Sequence, residues 1–164
     1  METTIIDPIP CILKLEKIAE FLKIRMDSPR ITELEGLLDH AQSIARPKAI
    51  YKITTVESQD EETILFDGQP FKSRLLGTNL GGAHRAFPYI ITSGTELHDW
   101  KDSFDDFFVG YLADTITSYA LMVAIEKFFT DLSQQYGLGK TARMNPGSLE
   151  DWPLQAQIPL FSLL

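Results

Sequence analysis

The chain reads as a single α+β domain with a mostly antiparallel sheet and one long central helix. Three observations predict it. Two amphipathic helical stretches come first, a β-branched and aromatic region with turn signals follows, and a long apolar helix closed by glycines comes last.

The first helical stretch spans 11–25, where Ile12, Leu15, Ile18, Ala19, Phe21 and Leu22 recur among Lys and Glu, and Ser28-Pro29 breaks it. The second runs from Ile31 to Ala45 through Leu34, Leu37, Leu38, Ala41 and Ile44, and stops at Arg46-Pro47. Ala49 to Val56 is a strand by propensity. Ile64-Leu65-Phe66 runs into the turn signal Asp67-Gly68. Phe71 to Leu76 suits a short helix or a strand equally. Leu80-Gly81-Gly82-Ala83 is a turn, and Ala86 to Thr92 a second strand, with Pro88 placing it at an edge or at its own start. Thr95 opens a helical stretch. From Ser103 a long helix extends to about Tyr136, with Asp102, Asp105 and Asp106 at its positive end and Gly137 and Gly139 as stop signals. Beyond Lys140 a loop leads to a last short helix from Leu154.

At 164 residues, with 44% apolar and 23% charged residues, the composition is that of a soluble globular domain. A net charge of −8 without a Lys/Arg cluster argues against nucleic-acid binding. One cysteine, Cys11, excludes an internal disulfide framework, so a reduced, cytoplasmic setting is expected. Met1 to Thr4 shows no signal-peptide pattern. Phe107 to Ile125 is long enough to cross a bilayer, but Asp114 near its middle and its acidic flank argue for a buried helix instead.

Most motif-like stretches dissolve on inspection. Gly139-Lys140-Thr141 follows a helix and lacks the first P-loop glycine, whose place Gln134 holds. Gly77-x3-Gly81-Gly82 reads as a turn rather than a dinucleotide fingerprint. His40, His84 and His98 have no ligand spacing, and the acids near His98 suit a helix start better than a metal. Asp114 is sharper: a carboxylate in an apolar helix needs a partner, with Arg85 or Arg143 as candidates, or serves a ligand. Arg143 can hold a carboxylate with its planar fork, or tie down a loop through one salt bridge. Asn145 beside it adds an amide, and Pro146-Gly147 lets the backbone approach closely.

The segment Arg143-Met144-Asn145-Pro146-Gly147-Ser148-Leu149-Glu150-Asp151-Trp152-Pro153 resembles the Arg-x-x-Pro-Gly region of the cobalamin-dependent methionine synthase activation domain. In particular it resembles the stand-alone or corrinoid-linked relatives, which often carry a Pro-Gly-Ser-Leu-x-Asp-Trp-Pro version. The run from Leu80 to Glu96 and the step Tyr111-Leu112-Ala113-Asp114-Thr115 resemble the same family, so the likeness spans about residues 80–164. It implies an activation-domain-like domain over 1–164, with relatives continuing into a further strand past the position of Leu164. It also implies an accessory module for corrinoid (B12)-dependent methyl transfer, binding S-adenosylmethionine and docking on a cobalamin-carrying protein or methyltransferase. Cobalamin would then be met only through that partner, since Asp-x-His-x-x-Gly is absent. The ligand would lie against Arg143, Asn145 and Gly147, with Ser148, Asp114 and Glu126 as further candidates. Two positions depart from the family: Ser148 replaces the tyrosine after Pro-Gly, and Met122 stands where a ligand-binding glutamate is expected, with Glu126 a turn later. The alternative is a non-enzymatic scaffold that keeps the fold without the S-adenosylmethionine site. Membership of a methyltransferase system, and self-association, are left open by the sequence.

Overall fold

The computed structural model describes residues 2–164, so the leader reading at Met1 lies partly outside the described residues. The fold is α+β, with two sheets and one long helix. Its elements are β1 (Thr4–Ile6), α1 (Leu15–Leu22), α2 (Arg30–Ile44), β2 (Lys48–Tyr51), β3 (Thr54–Ser58), β4 (Thr63–Phe66), β5 (Gln69–Lys72) and α3 (Arg74–Leu80). There follow β6 (Arg85–Ala86), β7 (Tyr89–Thr92), α4 (Thr95–Lys101), α5 (Phe107–Tyr136), a 3-10 turn at Leu154–Ala156 and α6 (Gln157–Leu163). The chain forms two compact units, one of residues 1–5, 50–90 and 138–164, the other of 6–49 and 91–137. Strands β1, β2 and β7 form a three-stranded sheet in the order β1-β2-β7.

The helical unit holds α1, α2, α4 and α5. Its core gathers Ile18 and Ala19 of α1, Leu34, Leu38 and Ala41 of α2, Leu97 of α4, and Leu112, Ile116 and Ala120 of α5. Spacings of four in α5 (Leu112, Ile116, Ala120, Ala124, Phe128, Leu132) put one continuous buried row along the helix. The opposite side is less covered: Phe107 is 92% exposed, and Tyr111 and Met122 are exposed too. The helix is long and apolar enough to span a membrane by length and composition, and its buried residues are that row together with Ala113, Thr115 and Thr117. Asp106 caps it by accepting the Val109 N–H at 2.9 Å, and Gly137 ends it in the left-handed region.

The sheet unit is a four-stranded antiparallel sheet in the order β5-β4-β3-β6 with α3 and the C-terminal segment. The Asp67-Gly68 turn joins β4 and β5, where Phe66 pairs with Gln69. Asp67 sits at φ 48 and Gly68 at φ 82, as a two-residue hairpin turn of type I′ requires. The Asp67 carboxylate accepts the Thr55 N–H at 2.9 Å and pairs with Lys52 at 2.9 Å. These contacts, led by the Thr55 N–H, hold its carboxyl below the usual range. The core is Ile64, Phe66, Phe71, Leu76 and Trp152, packed by Met144, Leu149, Leu160 and Leu163.

Several boundaries moved. The helix expected over 11–25 forms only from Leu15, because residues 11–14 run extended with Cys11 and Leu13 alternately buried, and the Leu13 N–H donates to Gln42 Oε1 at 2.7 Å. The strand expected over 49–56 is two strands, β2 and β3, parted at Lys52-Ile53. The strand expected over 86–92 likewise divides at Phe87-Pro88 into β6 and β7. The undecided stretch 71–76 is both things in turn: Phe71 and Lys72 end β5, and Ser73 caps α3. The long helix starts at Phe107 rather than Ser103, because α4 is a separate helix and Asp106 supplies the cap.

Candidate functional site

The Pro146-Gly147 turn is closed by bonds of its own segment. The Gly147 N–H donates to the Trp152 carbonyl at 2.7 Å and the Ser148 N–H to the Asn145 carbonyl at 2.9 Å. The Ser148 hydroxyl accepts the Asn145 N–H at 3.0 Å and donates to the Asn145 carbonyl at 2.6 Å. Gly147 has φ +87, a conformation that side chains other than glycine rarely adopt, and lies beside Leu154. Serine therefore has a local duty at 148, in a tight turn that it holds together.

The rest of the block ties the C-terminal segment to the sheet unit. Asp151 reaches α3, where it accepts the Ser73 hydroxyl at 2.6 Å and the Leu75 N–H at 3.1 Å. Ser73 in turn accepts the Leu76 N–H at 2.9 Å, so a double cap closes the start of α3. The Ser73 hydroxyl, followed by backbone N–H groups, holds the Asp151 carboxyl below its ordinary range. Trp152 is buried against Phe71, with ring centroids 6.5 Å apart in an edge-on arrangement. Its indole N–H is buried without an acceptor among the described residues.

Arg143 and Asn145 lie at the surface, as do Gly147, Ser148, Glu150, Asp151 and Pro153 of the same segment. Tyr89 of β7 joins them, donating its hydroxyl to Asn145 Oδ1 at 3.2 Å. Burial pushes the Tyr89 phenol up, and the positive charge of Arg143 opposes that shift, which places the guanidinium within electrostatic reach of the ring. With Asn145 Oδ1 engaged, its amide nitrogen is left to donate, beside a guanidinium suited to carboxylate or phosphate. The sequence marks Tyr89 only as a strand residue. Nothing in the sequence ties it to Asn145, because the contact crosses 56 positions.

Asp114 and Glu126 belong to the helical unit. Asp114 is not buried: its side chain is 60% exposed and pairs with Lys101 of α4 at 3.2 Å. That pair replaces the expected partners Arg85 and Arg143. Sequence pattern missed it because Asp114 faces outward on α5, where no desolvation demands a buried partner. Glu126 is also exposed, and its backbone carbonyl accepts the Thr130 hydroxyl at 2.8 Å. Met122, where the resemblance led us to look for a glutamate, is half-exposed on the same helix. Among the described residues no group of three His, Cys, Asp or Glu side chains is arranged to hold a metal.

The sheet unit also contains a cavity of about 380 Å³ that sequence reasoning missed. Val56, Ile64, Gly77 and Leu80 give it apolar walls, and Asp60, Glu61, Arg74 and His84 give it charged and polar ones. Gly77 allows the helix to lie against the sheet, since a Cβ there would come within 3.2 Å of Ile64 Cδ1. The Gly77-x3-Gly81-Gly82 spacing, expected as a turn, is a turn only from Gly81 on, and Gly77 lies within α3.

No protein-family model matches the chain, and no curated protein matches its sequence.

Proposed function

We propose that this chain is an accessory module of corrinoid-dependent methyl transfer. In this reading it binds S-adenosylmethionine at the Arg143 surface and docks on a cobalamin-carrying protein in a reduced, cytoplasmic setting. The observation that carries it is the Tyr89–Asn145–Arg143 cluster beside the Pro146-Gly147 turn. Arg143 and Asn145 are exposed residues of the motif that resembles the activation domain, and Tyr89 joins them from β7. The arginine fork would take the methionine carboxylate of S-adenosylmethionine, and Asn145 would add one hydrogen bond. Calorimetric titration of the chain with S-adenosylmethionine tests it. Saturable heat that disappears in Arg143→Ala supports the reading, and no heat and no thermal shift at millimolar ligand removes it.

A second reading has its own observation. Of the residues that make the motif recognisable, Asp151 and Trp152 hold the C-terminal segment to α3 and to the core of the sheet unit, and Ser148 closes the turn before them. A scaffold that contacts a corrinoid methyltransferase without holding S-adenosylmethionine needs those contacts and no others. Co-purification with a corrinoid protein, in the absence of S-adenosylmethionine affinity, selects this reading.

A further inference from the structure

The cavity of the sheet unit has a polarity that runs along α3. At one end the Ser73 N–H donates to the Glu62 carbonyl at 2.8 Å, which brings the start of α3 against the turn between β3 and β4. Arg74 follows Ser73 directly, and Asp60 and Glu61 lie in that turn, so a cation and two carboxylates share this end of the cavity. At the other end the Val56 N–H donates to the His84 carbonyl at 3.1 Å, which closes the loop after α3 onto β3. Between the ends Val56, Ile64 and Leu80 give apolar wall, with Ser58 and Thr78 set among them.

Two of the charged groups at this end carry no ion pair among the described residues, and the third is held by its own turn. Among the described residues neither Arg74 nor Glu61 makes an ion pair, although both line the same space. Asp60 keeps its carboxylate through the Glu62 N–H, accepted at 2.8 Å, which with its other contacts holds the group below its ordinary range. A volume of about 380 Å³ falls within the range of small-molecule pockets.

We propose that this cavity binds the head group of an α-amino acid with a long, largely apolar side chain. An α-amino acid carries its carboxylate and ammonium on one carbon, and one end of this cavity offers a partner for each. Arg74 takes the carboxylate in a two-pronged contact, Glu61 and Asp60 take the ammonium, and the side chain extends along Val56, Ile64 and Leu80 toward His84. A simple anion would be repelled by the two acids, and a simple cation would leave Arg74 without a partner. The proposal is independent of the Arg143 surface.

The probe is Nε-dansyl-L-lysine, which keeps a free α-amino acid head and carries a fluorescent apolar tail. We expect saturable binding to the full chain with a blue-shifted, enhanced emission. The Nα-acetyl and α-methyl ester forms should each bind about ten-fold more weakly or worse, because each leaves one charged wall unpaired. Arg74→Gln and Glu61→Gln should weaken the free amino acid by about ten-fold with unchanged melting curves, and Arg74→Gln should no longer distinguish the methyl ester. Thr78→Trp, which fills the cavity from α3, should abolish binding. Absence of saturable binding at millimolar probe overturns the proposal, as does equal binding of the blocked forms, which would mean adsorption of the tail alone. Insensitivity to both Gln variants also overturns it. Loss of dansyl-lysine binding in Arg143→Ala would move the head group to that surface and remove the cavity assignment. Loss of S-adenosylmethionine binding in Arg143→Ala but not in Arg74→Gln leaves both sites standing.

Discussion

The Ser73 hydroxyl donates to Asp151 Oδ1 at 2.6 Å while it accepts the Leu76 N–H at 2.9 Å, so one oxygen joins residues 78 positions apart and starts a helix. Ser73 is buried, which removes water as a substitute partner. Ser73→Ala should therefore destabilise the fold by about 1 kcal/mol, the usual cost of losing a side-chain cap. Urea unfolding measures it. In a double-mutant cycle with Asp151→Asn the two effects should be non-additive, because they share one bond. Strict additivity would show that the pair is not coupled.

The same contact gives a pH dependence of definite sign. Hydrogen bonds from Ser73 and from backbone N–H groups depress the folded carboxyl of Asp151 below its unfolded value of about 3.9. A depressed acid adds stability that is complete above the unfolded pKa and lost as pH falls through the folded one. The melting-temperature gap between the native chain and Asp151→Asn should thus be widest at neutral pH and close below about pH 4. A gap that is constant with pH would assign the effect to packing.

Trp152 anchors the C-terminal segment in the core of the sheet unit, beside Phe71 and Ile64. Trp152→Ala should cost about 3–5 kcal/mol, as large aromatic truncations do. Trp152→Phe should cost much less, because it keeps the ring contact and removes an indole N–H that has no acceptor among the described residues. Limited proteolysis should cut the Ala variant within residues 138–164 first. Equal costs for Phe and Ala would show that volume at this position does not matter.

How much of this was readable beforehand depends on the range of the interaction. The second helix was found within a residue of Arg30–Ile44 because its apolar period and the Pro47 stop are local. The Asp67-Gly68 turn was legible for the same reason. β5 was legible only at its end, where Phe71 to Leu76 suited a helix or a strand equally; Pro70 weakens the propensity of its start, and the ladder with β4, Leu65 opposite Pro70, defines the strand. At the site, Arg143 and Asn145 stood out as chemistry, but their neighbour Tyr89 is fixed by tertiary folding alone. Asp114 was misread because a sliding window averages the two faces of α5, and the carboxylate lies on the exposed one.

Cys11 is buried in the helical unit, and its thiol donates weakly to the Ala120 carbonyl at 3.6 Å. Burial pushes the thiol up to about 11. At pH 8 only on the order of one molecule in a thousand then carries a thiolate, and that thiolate is shielded from reagent. Iodoacetamide should leave the native chain unmodified over hours and alkylate it within minutes in denaturant. Rapid alkylation of the native chain would show that the Cys11 site opens readily.

Arg143 separates the two functional readings. It lies at the surface, close enough to Tyr89 for its charge to act on the phenol. If it grips the carboxylate of S-adenosylmethionine, Arg143→Lys should weaken binding by about ten-fold, because a point charge cannot reproduce a two-pronged contact. Arg143→Ala should weaken it further, and both variants should melt with the parent, since exposed substitutions away from caps and cores change stability by less than about 0.5 kcal/mol. Tyr89→Phe should give a smaller loss, by freeing the Asn145 amide to rotate. A scaffold predicts a different pattern: no affinity for S-adenosylmethionine in any of these proteins, with corrinoid-protein capture intact in all of them. Calorimetry on the four chains, beside a pull-down with a cobalamin-loaded protein, decides the matter. A lower melting temperature in Arg143→Ala, without any change in ligand heat, would instead make the arginine a loop clamp and leave S-adenosylmethionine without its anchor.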